Sequence, residues 1–204
     1  MQLTQAEVKE FFELMNGLLL YVNQKTGLFS KIKDEASLVA AGGPTLFKLA
    51  NTIYEDPRHI TNYIQKNPNG LSRSDLDTVQ SWRCNVRGKF MVYRYTEQNT
   101  VFIHMESKPN PKAYGVMSLN TPLPMMLGLG LPKMVETTLL PFRGRIVYDG
   151  QIAEEPLVFG SNMRAAVDGW YKQAISKHGL ITDLLEPKRP RPRTGKHKVT
   201  ASKY

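Results

Sequence analysis

Lys89-Phe-Met-Val-Tyr-Arg-Tyr95 and Thr100-Val-Phe-Ile-His-Met105 decide the fold of this chain. Both runs are dense in β-branched and aromatic side chains, which suit a pleated, half-buried surface. Glu97-Gln98-Asn99 lies between them and predicts a hairpin. Downstream, Pro109-Asn110-Pro111 reads as a turn and residues 112–119 as a third strand. Residues 134–140 and 145–148 supply a fourth and a fifth, with Pro141-Phe142-Arg143-Gly144 as the turn between them. Asp149-Gly150 is a turn signal at the far end of the fifth. The connection at 119–133 is apolar, with three prolines and two glycines, and reads as a short helix packed on the sheet or a mobile flap.

Helical periodicity flanks this sheet on both sides. After Ser161 as a cap, Met163, Ala166, Val167, Trp170, Tyr171, Ala174, Ile175 and His178 form one stripe, and Gly179 fits a left-handed helix stop. At the other end, Thr4 and Glu7 fit a capping box. Val8, Phe11, Phe12, Met15, Leu18, Leu19 and Val22 then recur at three- and four-residue steps, predicting a core helix to about residue 23. Shorter helices follow near 45–55, after Pro57, and from the cap Ser72 with Asp75 in its box position. Helices, then short-linked strands, then one helix predict an α+β fold. The expected architecture is N-terminal helices, a central antiparallel sheet of about five strands, one C-terminal helix and a disordered basic tail. The expected divisions are 1–84, 85–185 and 186–204, the first two forming one compact domain.

Composition bounds the rest. At 204 residues, 41% of them hydrophobic, the chain can bury a sizeable core. Its single cysteine, Cys84, excludes an internal disulfide. No apolar run approaches the roughly 20 residues that span a bilayer. The first residues carry early acids and no basic stretch, unlike a signal peptide. A cytoplasmic location is the expectation.

The net charge of +9 is unevenly placed. Residues 187–204 hold Lys188, Arg189, Arg191, Arg193, Lys196, Lys198 and Lys203 and no acid, so +7 falls there and +2 on the preceding 186 residues. With Val199 and Tyr204 as its sizeable hydrophobes, this segment cannot build a core. Alternating arginine and proline favours an extended chain that loses little entropy on binding. Guanidinium groups hold phosphate through paired hydrogen bonds and stack on bases.

Arg87-Gly88-Lys89-Phe90, Ala113-Tyr114-Gly115-Val116 and Leu139-Leu-Pro-Phe-Arg-Gly-Arg-Ile-Val-Tyr-Asp-Gly150 together resemble uncharacterised bacterial proteins with an LLPF-basic-G-basic-IxYDG core. The resemblance covers the middle third of the chain. It implies a bacterial or phage origin and carries no assigned reaction, cofactor or partner.

Familiar catalytic patterns are missing. His59, His104, His178, His197 and Cys84 form no pair at metal-ligand spacing, so neither a metal nor another cofactor is expected. Gly128 and Gly130 lack the third glycine of a dinucleotide loop. Asp149, Glu154 and Glu155 read as turn acids in solvent. The leading expectation is a non-enzymatic nucleic-acid-associated protein, RNA or ribosome binding before DNA. Its contacts are the seven tail cations, with Arg143 and Arg145 as a basic hairpin tip. The alternative is a protein-interaction module, a phage or mobile-element factor binding a host complex through Met125, Met126 and Leu127. An unrecognised enzyme, with its site near Asp149 or His104, is the third.

Overall fold

The structure, a computed structural model, describes residues 2–107, 109–157 and 159–185. The tail cations of 187–204, and the expected disorder there, lie outside these residues. The described residues form seven α-helices and six strands in an α+β arrangement. The hairpin runs form β1 (Val86–Tyr95) and β2 (Thr100–His104), followed by β3 (Ala113–Met117), β4 (Lys133–Phe142), β5 (Arg145–Glu155) and β6 (Leu180–Ile181).

Two features of the sheet differ from the sequence reading. It has six strands, and it is mixed: β3 pairs in parallel with β5 (Val116 to Ile146) and with β6 (Ala113 to Leu180). These two share one edge of β3, β6 on its first half and β5 on its second. Short links argued for an all-antiparallel sheet because they join neighbours. They say nothing of strands that meet after a long detour, as β3 and β5 do.

That detour closes a ring. β1 pairs antiparallel with β2 on one side and β4 on the other, β2 with β3, and β4 with β5. With β3 against β5 the circuit runs β1-β2-β3-β5-β4 and back to β1. The order β4-β1-β2-β3 is a Greek key. β1 serves two neighbours because it is ten residues long and bends: residues 86–92 face β4, residues 90–95 face β2, and a register shift lies between Val92 and Arg94. Phe90, Phe102 and Tyr114 meet within the core, Phe90 at 6.0 Å from Phe102 and 6.3 Å from Tyr114 between ring centres. The connection from β3 to β4 carries the short helix α6 (Leu123–Leu127), anchored by buried Leu123 and Leu127.

A helical layer covers β4 and β5. It consists of α1 (Gln5–Thr26), α2 (Glu35–Ala40), α3 (Gly43–Glu55), α4 (Arg58–Lys66) and α5 (Arg73–Ser81). The expected capping box on α1 is present, Thr4 and Glu7 satisfying each other's backbone N–H. Phe11 of α1 is fully buried against Phe142 of β4 and Trp82, which follows α5. Gly17, a weak helix former, is explained by packing: a Cβ there would stand 2.7 Å from the Tyr63 hydroxyl. One hydrophobic cluster runs from Leu3 through these helices to Tyr148 of β5.

The last helix, α7 (Ser161–His178), starts one residue earlier than read, with Gly160 rather than Ser161 in the cap position. It lies on the other face of β1, β2 and β3. Val167 packs with Met91 and Ile103, and Ala174 with Val101 and Ala113. Tyr93 stacks on Tyr171 at 4.6 Å and donates to Asp168 at 2.8 Å.

The LLPFRGRIVYDG segment folds differently from its reading as a four-residue turn and a short strand. Pro141 lies inside β4, opposite Ile146, and the turn is Arg143-Gly144 alone. Both have positive φ, 52° and 71°, which matches the twist of a two-residue hairpin. Asp149-Gly150 is not a strand end either. Residues 149–151 bulge opposite the single residue Thr138, between the Tyr148–Leu139 and Ile152–Thr137 pairs, and β5 continues to Glu155.

Candidate functional site

The bulge turns Asp149 inward. Gly150 takes φ 91° and lets Phe12 of α1 close over it; a Cβ at Gly150 would sit 3.2 Å from that ring. Asp149 is left 5% exposed. Its Oδ1 accepts from the Gln151 backbone N–H at 3.1 Å, and Thr138 supplies a side-chain hydrogen bond. Burial outweighs these contacts and pushes the carboxyl up to about 7 from its ordinary 3.8.

Neighbouring groups share this interior. Tyr54 of α3 is buried, and its hydroxyl finds no hydrogen-bond partner among the described residues. Burial, then the nearby Asp149 charge, pushes the Tyr54 hydroxyl well above its usual range. The Arg87 guanidinium stands 5.9 Å from the centre of the Tyr54 ring. It donates to Asn51 Oδ1 at 3.1 Å and lies 3.8 Å from Glu55. His104 is held by its Nε2–H on the Arg87 carbonyl at 3.0 Å and by stacking on Phe90 at 4.8 Å. Burial lowers its pKa, so a neutral, packed imidazole accounts for it.

Two clefts stand back to back across the Thr138–Asp149 contact. The polar one, about 280 Å³, is lined by Asn51, Arg87, Glu106, Glu136 and Thr138. The apolar one, about 330 Å³, is lined by Phe12, Met15, Leu19, Leu38 and Leu46, with Asp149 among these side chains. α3 separates them, with Asn51 facing one and Leu46 the other. Among the described residues, no His, Cys, Asp and Glu side chains gather in a group that could hold a metal ion.

The residues singled out from sequence fall elsewhere. Arg143 pairs with Glu10 and Arg145 with Glu7, both acids on α1. The Arg145 hydrogen bond, helped by the Thr4 cap, holds Glu7 down at about 2. Lys89 pairs with Glu155 at 2.5 Å, and Lys133 with Glu154 at 2.5 Å, so neither acid joins Asp149. On α6, Met125 is 77% and Met126 42% exposed, while Leu127 is buried and serves as an anchor. Sequence reasoning passed over Tyr54, Arg87 and Thr138. Their signal is tertiary, because each is an ordinary helix or strand residue until the bulge and α3 enclose it.

Five of the strands close a Greek-key ring, β1-β2-β3-β5-β4, with the short helix α6 between β3 and β4. Comparison of the chain with family models, curated proteins and solved structures gives no match. Among the described residues, no helix is long and apolar enough to cross a membrane.

Proposed function

We propose that this is a non-enzymatic nucleic-acid-associated protein that grips phosphate through its basic segment 187–204, with RNA, and ribosomal RNA in particular, as the preferred ligand. One observation carries the reading: the chain's excess positive charge is concentrated in that segment. The folded part offers far less. Arg143, Arg145, Lys89, Lys133, Arg58 and Arg73 each have a carboxylate partner. The Greek-key ring adds support by analogy of fold alone, since one kind of Greek-key barrel, the OB fold, binds oligonucleotides on the face of its second and third strands. Here α7 covers β2 and β3, which favours the arm over the barrel face as the contact. An extended arginine-rich arm that orders on binding suits the irregular surface of RNA.

The test is a salt series with labelled single-stranded RNA and duplex DNA, using the full chain and a copy ending at Leu185. If all seven cations meet phosphate, log K against log salt falls with a slope of about −5 to −6. The shortened form should bind at least about a hundredfold more weakly near 0.1 M salt, with a shallower slope. Equal affinity of both forms would remove the tail from the mechanism.

A second reading rests on α6, where exposed Met125 and Met126 adjoin Leu129, itself 82% exposed. Adaptable methionines of this kind suit a protein partner, such as the host complex of a phage or mobile-element factor. Changing both methionines to Glu should abolish capture of a protein partner and leave the circular dichroism unchanged. Capture that survives the double substitution would rule out this surface.

A further inference from the structure

We propose that the cleft between α1, α2, α3 and β5 binds a small organic cation, an amidinium or primary ammonium on a compact apolar body, with Asp149 as its counter-ion. The walls match the body of such a ligand. Phe12, Met15, Leu19, Leu38 and Leu46 give an apolar lining of about 330 Å³, the size of a small-molecule pocket. Asp149 is the one ionisable side chain among the lining residues, and it is nine-tenths or more buried.

The carboxylate has no cation of its own. Its contacts are the Gln151 N–H and Thr138, and no Lys or Arg among the described residues comes within ion-pair distance. Arg87 from β1 is the charged group that acts on it, and its own charge raises the hydroxyls of Tyr54 from α3 and Tyr148 from its own strand. Arg87 lines the other cleft and is engaged by Asn51 and Glu55. On the α1 and α2 side, Asn16 lines the cleft and donates to Glu35 at 3.0 Å. A buried carboxylate without a partner is costly, and a cation seated in the cleft removes that cost. Val39 of α2, which lines the cleft, is exposed to solvent.

The probe is benzamidine, with neutral benzamide of nearly the same shape as control, titrated into the full-length protein by calorimetry and by NMR. At about pH 8.5, where the Asp149 carboxyl is ionised, benzamidine should saturate one site and benzamide should bind at least about tenfold more weakly. Asp149→Asn should weaken benzamidine by about tenfold or more and leave benzamide unchanged. Lowering the pH to about 5.5 should do the same to the unaltered protein, with the amidinium still charged. The pH comparison decides the matter should the variant fail to fold. Equal binding of the two probes, full benzamidine affinity in the variant or at low pH, or no saturable site at millimolar probe would each overturn the assignment.

Discussion

Replacing Asp149 by Asn is expected to stabilise the ligand-free protein at alkaline pH and to change little in acid. The native carboxyl titrates at about 7 when folded, against an ordinary value of 3.8. Between these values the folded state keeps a proton that the unfolded chain has released. Stability therefore falls as pH rises through that window and is level above it. The variant has no proton to lose there. The gap should open to on the order of 3 kcal/mol at about pH 8.5 and close below about pH 4. The new amide brings an N–H group that needs an acceptor, which trims the gain. Urea unfolding of both proteins across this range measures it. Parallel stability curves would mean that Asp149 is solvated and that the bulge does not enclose it.

Truncating Phe11 to Ala should cost about 3–5 kcal/mol. Its ring is fully buried and joins three elements. It meets Phe142 of β4 edge-on at 5.4 Å, Trp82 at 5.7 Å and Phe12 at 5.5 Å. The loss combines transfer of a large apolar group, the void it leaves and aromatic pairs worth about 0.5–1.5 kcal/mol each. In a chain of this size the melting temperature should fall by about 10 °C. Val39→Ala on exposed α2 is the control and should stay within about 0.5 kcal/mol. A loss below about 1 kcal/mol for Phe11→Ala would mean that α1 is not docked on the sheet. The experiment also bears on the cation cleft, since α1 supplies Phe12, Met15 and Leu19 to its wall.

Elements with local signals could be read without the fold. Thr4, Glu7 and the stripe from Val8 to Val22 specify α1 through caps and periodicity, which involve neighbours three or four residues apart. The β1–β2 hairpin is local in the same sense. Arg143-Gly144 was harder. Gly144 announced a turn, but the two-residue form needs left-handed geometry at an arginine, a conformation common only for Gly, Asn and Asp. The site was hidden more deeply. Asp149-Gly150 has the composition of a solvated turn, and only the register of β4 against β5 turns it into a buried bulge.

The amino-acid sequence by itself determined the α+β class, the helix caps, the strand-rich centre and the concentration of positive charge in 187–204. These depend on residue type and short spacing, so they survive without tertiary context. The tertiary structure alone decided that β3 meets β5 and closes the barrel, that Arg143 and Arg145 are held by the acids of α1, and that Asp149 ends up buried in the wall of the apolar cleft. Each of these is a contact between residues far apart in the chain. Such contacts arise from which edges and faces remain to be covered once the local elements have formed, and no short stretch of sequence contains that information.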